Sequence, residues 1–101
     1  MNCRLDEARQ IAHSKGDFSG YFVEGFKYDV GNGVTGWHTT SYGSDPLRNP
    51  VRNYWVQDRT LYDFRLGLPG APSEIGPKIE NYDPAEYGAV LEAIEEWEAH
   101  P

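Results

Sequence analysis

The dipeptide Asn32-Gly33 sits between two stretches rich in aromatic and β-branched residues, 21–30 and 34–42. Both central residues of a type I′ turn need positive φ, which Asn and Gly adopt most readily, so this pair is a strong short-range hairpin signal. It commits the middle of the chain to antiparallel pairing. With Asn32-Gly33 as the loop, Val30 faces Thr35, Tyr28 faces Trp37 and Phe26 faces Thr39. Phe22, Phe26, Tyr28, Val30 and Trp37 then share the core face, while Lys27, Asp29, His38 and Thr40 share the other. A slip of one residue would invert all of these assignments.

Ser44-Asp45-Pro46 and Asn49-Pro50 break the chain after this hairpin, because a residue before Pro avoids the helical region. Residues 51–66 read as a second hairpin turning near Asp58-Arg59. Trp55 then faces Tyr62 and Val51 faces Leu66, so that Val51, Trp55, Tyr62, Phe64 and Leu66 share a face. Arg52, Tyr54, Asp63 and Arg65 fall opposite. Residues 67–82 hold three Gly and three Pro and read as a strap that packs Leu68, Ile75 and Ile79 over a sheet edge. Long connections of this kind are also frequent carriers of function.

Two helices are expected at the ends. Leu5, Ala8, Ile11 and Ala12 recur at helical spacing over residues 3–15, with Asp6 and Glu7 in the first turn and Lys15-Gly16 as a stop. Asp83-Pro84-Ala85-Glu86 places a cap residue first, Pro at the first helical position and Glu at the third. Tyr87, Val90, Leu91, Ile94 and Trp97 follow as one apolar stripe. The expected fold is α+β, a mostly antiparallel four-stranded sheet with an N-terminal and a C-terminal helix on one face.

The 101 residues fit one domain. A mean hydropathy of -0.68 is polar, yet three Trp, seven Tyr and four Phe supply rings enough for a small core. No apolar run approaches the roughly 20 residues that span a bilayer. Cys3 alone cannot form an internal disulfide, and acids stand where a secretory leader carries apolar residues. A reducing, cytoplasmic setting is expected.

Charge is strongly segregated. Nine acids and nine bases balance over residues 1–78, whereas residues 79–101 hold seven acids and no Lys or Arg. The net charge of -7 therefore belongs to the last quarter of the chain. Glu92 and Glu96 are like charges one helical turn apart, and Glu95, Glu96 and Glu98 stand at the helix's negative end. Local electrostatics is overruled there, as happens at functional sites. With no base after Lys78, these four carboxylates are expected to lack internal counter-ions and to await a cationic partner. The plain alternative is a solvated face neutralised by arginines from elsewhere in the fold.

Arg52 and Arg65, read as cross-strand neighbours with Tyr54 and Asp63 beside them, form a second candidate patch. Arg next to aromatic residues is typical of protein interfaces, although internal pairing with Asp63 accounts for the same pattern. His13, His38 and His100 are too dispersed for a metal signature, and no cofactor motif occurs. His38 beside Lys27 is the one candidate acid or base.

Two function classes follow. The first is an acidic interaction protein that binds stoichiometrically through Glu92, Glu95, Glu96 and Glu98, with Arg52, Tyr54 and Arg65 as a further surface. Its partner would be a protein with a basic surface, with no direct contact to nucleic acid or membrane. By size and charge this suits an inhibitor that blocks a nucleic-acid-binding surface, as phage anti-defence and immunity proteins do. The second is a small hydrolase or nuclease using His38 with Arg52, Arg65 and Asp63. The net negative charge disfavours it, since nucleases need a basic path to their substrate. A free sheet edge would also permit a homodimer.

Overall fold

The computed structural model describes residues 3–4, 8–43 and 51–100. The start of the expected N-terminal helix (Leu5, Asp6, Glu7), Arg48 and the two Pro breaks at 44–50 lie outside them. The protein is α+β. Its strands are β1 (Cys3–Arg4), β2 (Arg9–Phe18), β3 (Tyr21–Gly31), β4 (Val34–Ser41), β5 (Arg52–Gln57), β6 (Thr60–Arg65) and β7 (Glu74–Lys78). One helix, α1 (Pro84–Ala99), follows. The six longer strands form an antiparallel meander, each paired with its sequence neighbour, and the two-residue β1 adds to the outer side of β7.

Three expectations are corrected. Where residues 3–15 read as a helix, Arg9–Phe18 is a strand of ten residues. Ala12, Ser14, Gly16 and Phe18 are half-buried while His13, Lys15 and Asp17 are exposed, a period of two that outweighs the sparse helical spacing. Ser19 and Gly20, both at positive φ (51° and 86°), turn the chain into β3. Helix α1 is therefore the single helix among the described residues, and the sheet is larger than the four strands expected.

The second correction concerns the strap. Glu74–Lys78 pairs with β6, and Ile75 is buried there. Leu68 is 78% exposed and covers nothing. Pro77 lies beyond the two residues that β1 reaches, as a Pro near an edge must.

The third is register. Asn32-Gly33 forms the expected turn, with φ of 57° and 76°, and Gly31 opposes Val34. Val30 is then bulged out, Asp29 pairs with Thr35, and the slip carries through to Phe26↔His38 and Lys27↔Trp37. Gly31 takes φ 114°, which few other residues tolerate. Trp37 consequently joins Lys27 on one face, while Phe26 and Tyr28 join His38 and Thr40 on the other. The second hairpin keeps its expected register, with Trp55 opposite Tyr62 and a turn at Asp58-Arg59.

Helix α1 covers one face. Val23, Trp37, Tyr54, Val56 and Leu61 from the sheet pack there with Val90, Ala93 and Trp97. Trp97 lies against Gly25, where a Cβ would stand 2.4 Å from its ring. The opposite face has no covering layer among the described residues, yet Trp55 is 0% exposed. It packs with Phe64 and Ile75, flanked by Tyr28 and Tyr62, and lies on Gly36, where a Cβ would come within 2.2 Å. The outer edge of β2 carries a bulge at Ile11 and the exposed Lys15, two features that discourage strand addition.

Candidate functional site

The N-terminus of α1 is built as its sequence predicts. Asp83 caps it, Oδ1 accepting from the Ala85 N–H at 3.0 Å, and Pro84 occupies the first turn. The Tyr21 hydroxyl donates to the other carboxylate oxygen of Asp83 at 3.3 Å. One turn on, Glu86 is buried and accepts from the Tyr54 hydroxyl. Burial, and then the adjoining carboxylate, push the Tyr54 phenol far above its ordinary range. Tyr54 is thus part of the core rather than of a surface patch.

The four tail glutamates all find partners inside the molecule, which corrects the expectation that they lack them. Glu98 accepts from Lys27 Nζ at 2.9 Å and from Trp37 Nε1 at 2.8 Å. Burial raises its carboxyl pKa, but those two hydrogen bonds and the Lys27 charge outweigh burial and hold it below the usual range. Arg59 reaches Glu95 at 2.6 Å, the Ser19 hydroxyl donates to Glu92 at 2.8 Å, and Glu96 stands 3.4 Å from His100 Nε2. Among the described residues, two of the four therefore meet a Lys or Arg and two meet a hydroxyl or an imidazole.

Between the β5–β6 turn and α1 lies a cavity of about 210 Å³. Trp37, Val56, Leu91 and Ile94 form its apolar lining, and its charged lining is Asp58, Glu95 and Glu98 against the single base Arg59. Lys27 sits 5.8 Å from the Trp37 ring centroid, so the fold already seats one ammonium against this indole and Glu98. Arg59 and Glu95 are 67% and 64% exposed. A pair so open to water contributes little to stability and exchanges partners easily.

In the second candidate patch Tyr54 opposes Asp63 in the expected register, and Arg52 hydrogen-bonds the Tyr54 side chain. Arg65 Nε donates to Asp63 at 3.2 Å and Arg65 stands opposite Glu74. Arg52 is exposed and opposes Ser41, at the end of the β4–β5 pairing. The constellation of His38 with Arg52, Arg65 and Asp63 is divided by the pleat. Asp63 opposes Tyr54 and so shares the helix-side face with Arg65, whereas His38 lies with Phe26 on the other face.

On that other face His38 stacks on Phe64 at 3.8 Å, with the planes within 5°. Phe26 lies 5.9 Å away on its far side, and His13 stacks on Phe26 at 4.1 Å. Asn53 Oδ1 accepts from His38 Nε2 at 2.8 Å and from the Thr40 hydroxyl at 2.9 Å. Burial lowers the His38 pKa, against the opposing pull of Asn53 and Glu24. A cavity of about 290 Å³ opens beside it. The sequence reading missed the ring row because the expected register paired Phe26 with Thr39 and put His38 on the other face, whereas the slip brings Phe26 opposite His38. It missed Lys27 and Arg59 because both lie far from the helix in sequence. The alternation in 12–18 and the turn at Ser19-Gly20 were the signals that would have recovered β2.

Among the described residues no group of three His, Cys, Asp or Glu side chains is placed to hold a metal ion, and no helix is long and apolar enough to cross a membrane. The chain matches no protein-family model, no curated protein and no solved structure.

Proposed function

With no relative to lend a function, we propose that the protein acts by stoichiometric binding and that its partner is a protein with a basic surface. The observation that carries this reading is the cavity beside α1, where an apolar floor is ringed by three carboxylates and one base. A lysine or arginine side chain of the partner fits that chemistry. Its aliphatic stem would lie along Leu91 and Ile94, and its charge would stand beside Glu95, next to the Glu98 carboxylate that Lys27 and Trp37 already hold. Arg59 yields its place at little cost, because its pair with Glu95 is largely exposed. Glu92 and Glu96, which meet no Lys or Arg within the molecule among the described contacts, extend the negative surface along the exposed side of the helix. The helix dipole adds to it, since its last turn holds no base. A basic surface that ordinarily holds nucleic acid would be blocked by such occupation, which is the inhibitor form of the proposal.

Fluorescence anisotropy with a labelled arginine-rich dodecapeptide tests it. Changing Glu92, Glu95, Glu96 and Glu98 to Gln should weaken binding at least about tenfold at low salt. A charge-matched control, with Asp17 and Asp29 changed to Asn and Glu74 and Glu80 to Gln, should lose about threefold or less. Equal losses would mean that only net charge matters, and the site would be abandoned.

A further inference from the structure

We infer that the helix-free face of the sheet carries a separate small-molecule site, at the cavity beside His38, for a neutral aromatic compound bearing an N–H or O–H donor, of the indole or phenol class. Phe26, Tyr28, His38, Phe64, Leu66 and Ser73 line the cavity. Its volume of about 290 Å³ lies just below the roughly 300–1,000 Å³ usual for drug-sized ligands, which suits a small guest of one or two fused rings.

The lining sets the chemistry of the occupant in three respects. Four of the six residues are flat rings, and the stacked pair of His38 and Phe64 is parallel within 5°, so the walls favour a planar guest. None of the six is Asp, Glu, Lys or Arg, so a charged guest would lose its hydration without gaining a counter-ion. The third respect is the state of His38. The carboxamide oxygen of Asn53 can only accept, and it accepts from both the Thr40 hydroxyl and His38 Nε2. The imidazole proton therefore resides on Nε2, and Nδ1 is left as an acceptor. A guest that offers an N–H or O–H answers that nitrogen. At the other side of the cavity the Ser73 oxygen accepts from the Gly67 N–H at 3.1 Å, which leaves its own hydroxyl proton for a polar atom of the guest.

This constellation differs in kind from the cavity under α1. That one combines an indole with carboxylates and suits a cation. This one combines rings with a neutral acceptor. The two lie on opposite faces of the sheet, so each can be tested without disturbing the other.

Titration of ¹⁵N-labelled protein with indole, followed by amide shifts, is the direct experiment. Wild type should show saturable shifts around residues 26–28, 38 and 64–66 at millimolar indole, with phenol behaving alike. Toluene, which lacks a donor, and benzoate, which is charged, should each bind at least about tenfold more weakly. His38→Phe keeps a flat ring between Phe26 and Phe64 and removes the acceptor, and should weaken indole at least about tenfold while leaving toluene unchanged. Leu66 is 63% exposed at the rim, so Leu66→Trp fills the mouth without disturbing the core and should abolish all binding. If His38→Phe fails to fold, Leu66→Trp and the toluene comparison decide alone. Indole that binds both variants as it binds wild type would overturn the proposal. So would toluene and indole of equal affinity, or the absence of saturable shifts up to about 10 mM indole.

Discussion

Each face of the sheet is organised around a tryptophan lying on a strand glycine, but the two are buried by different means. On the helix side Trp97 rests on Gly25 and is enclosed by α1 and β3–β4. On the open side Trp55 rests on Gly36 and reaches zero exposure, packed with Phe64 and Ile75 and flanked by Tyr28 and Tyr62. Among the described residues, the cover of Trp55 comes from large side chains leaning together across adjacent strands, not from a helix. What differs is the polar chemistry that results. The covered face anchors its rim with ion pairs to the helix, whereas the open face ties His38 and Thr40 to Asn53 and holds His13 against Glu24 at its rim.

The largest test of this parallel is to truncate both indoles. Trp55→Ala and Trp97→Ala should each destabilise the protein by about 3–5 kcal/mol in urea unfolding. A loss under about 1 kcal/mol at Trp55 would show that the open face is not a core of its own. Gly25→Ala and Gly36→Ala come next, each expected to cost about 1–3 kcal/mol, because the added methyl meets a ring that has no room to retreat. Thermal melts of the two single variants would reveal whether both faces are equally rigid.

The smallest effect is a dependence on pH. His38 has a folded pKa below its ordinary value near 6.5. Its contribution is complete above that value and is lost as pH falls through the lowered one. Glu98 has a folded pKa below the ordinary 4.5, so its contribution is complete above pH 4.5 and disappears as the medium becomes more acidic. Stability should thus decline in two stages on acidification, that of His38 first. His38→Phe should flatten the stage beginning near pH 6.5, and Glu98→Gln should reduce the stage beginning near 4.5, to which Glu24 on the open face also contributes, as read from chemical denaturation across pH.

Much of this architecture was legible in the residues. The cap at Asp83-Pro84, the turn at Asn32-Gly33 and the pairing of Trp55 with Tyr62 rest on local chemistry, and all three appear in the structure. The failures have physical causes as well. A single bulged residue, Val30, shifted a register that the turn alone seemed to determine. Residues 74–78 form a strand despite their Gly and Pro, because β6 offers a template that local propensity does not reveal. The cations for Glu95 and Glu98 come from positions 36 and 71 residues away, and no reading of the tail by itself would find them. Of the proposed acidic site, the residues were visible in sequence and their partners were not.

The order of the elements along the chain has its own consequence for biosynthesis. Strands β3 to β7 each pair with the preceding one, so the sheet can assemble progressively from β2 as the polypeptide leaves the ribosome. Helix α1 is made after all of them. Until it docks, Val23, Trp37, Val56 and Leu61 lack the cover that Val90, Ala93 and Trp97 give them in the finished fold.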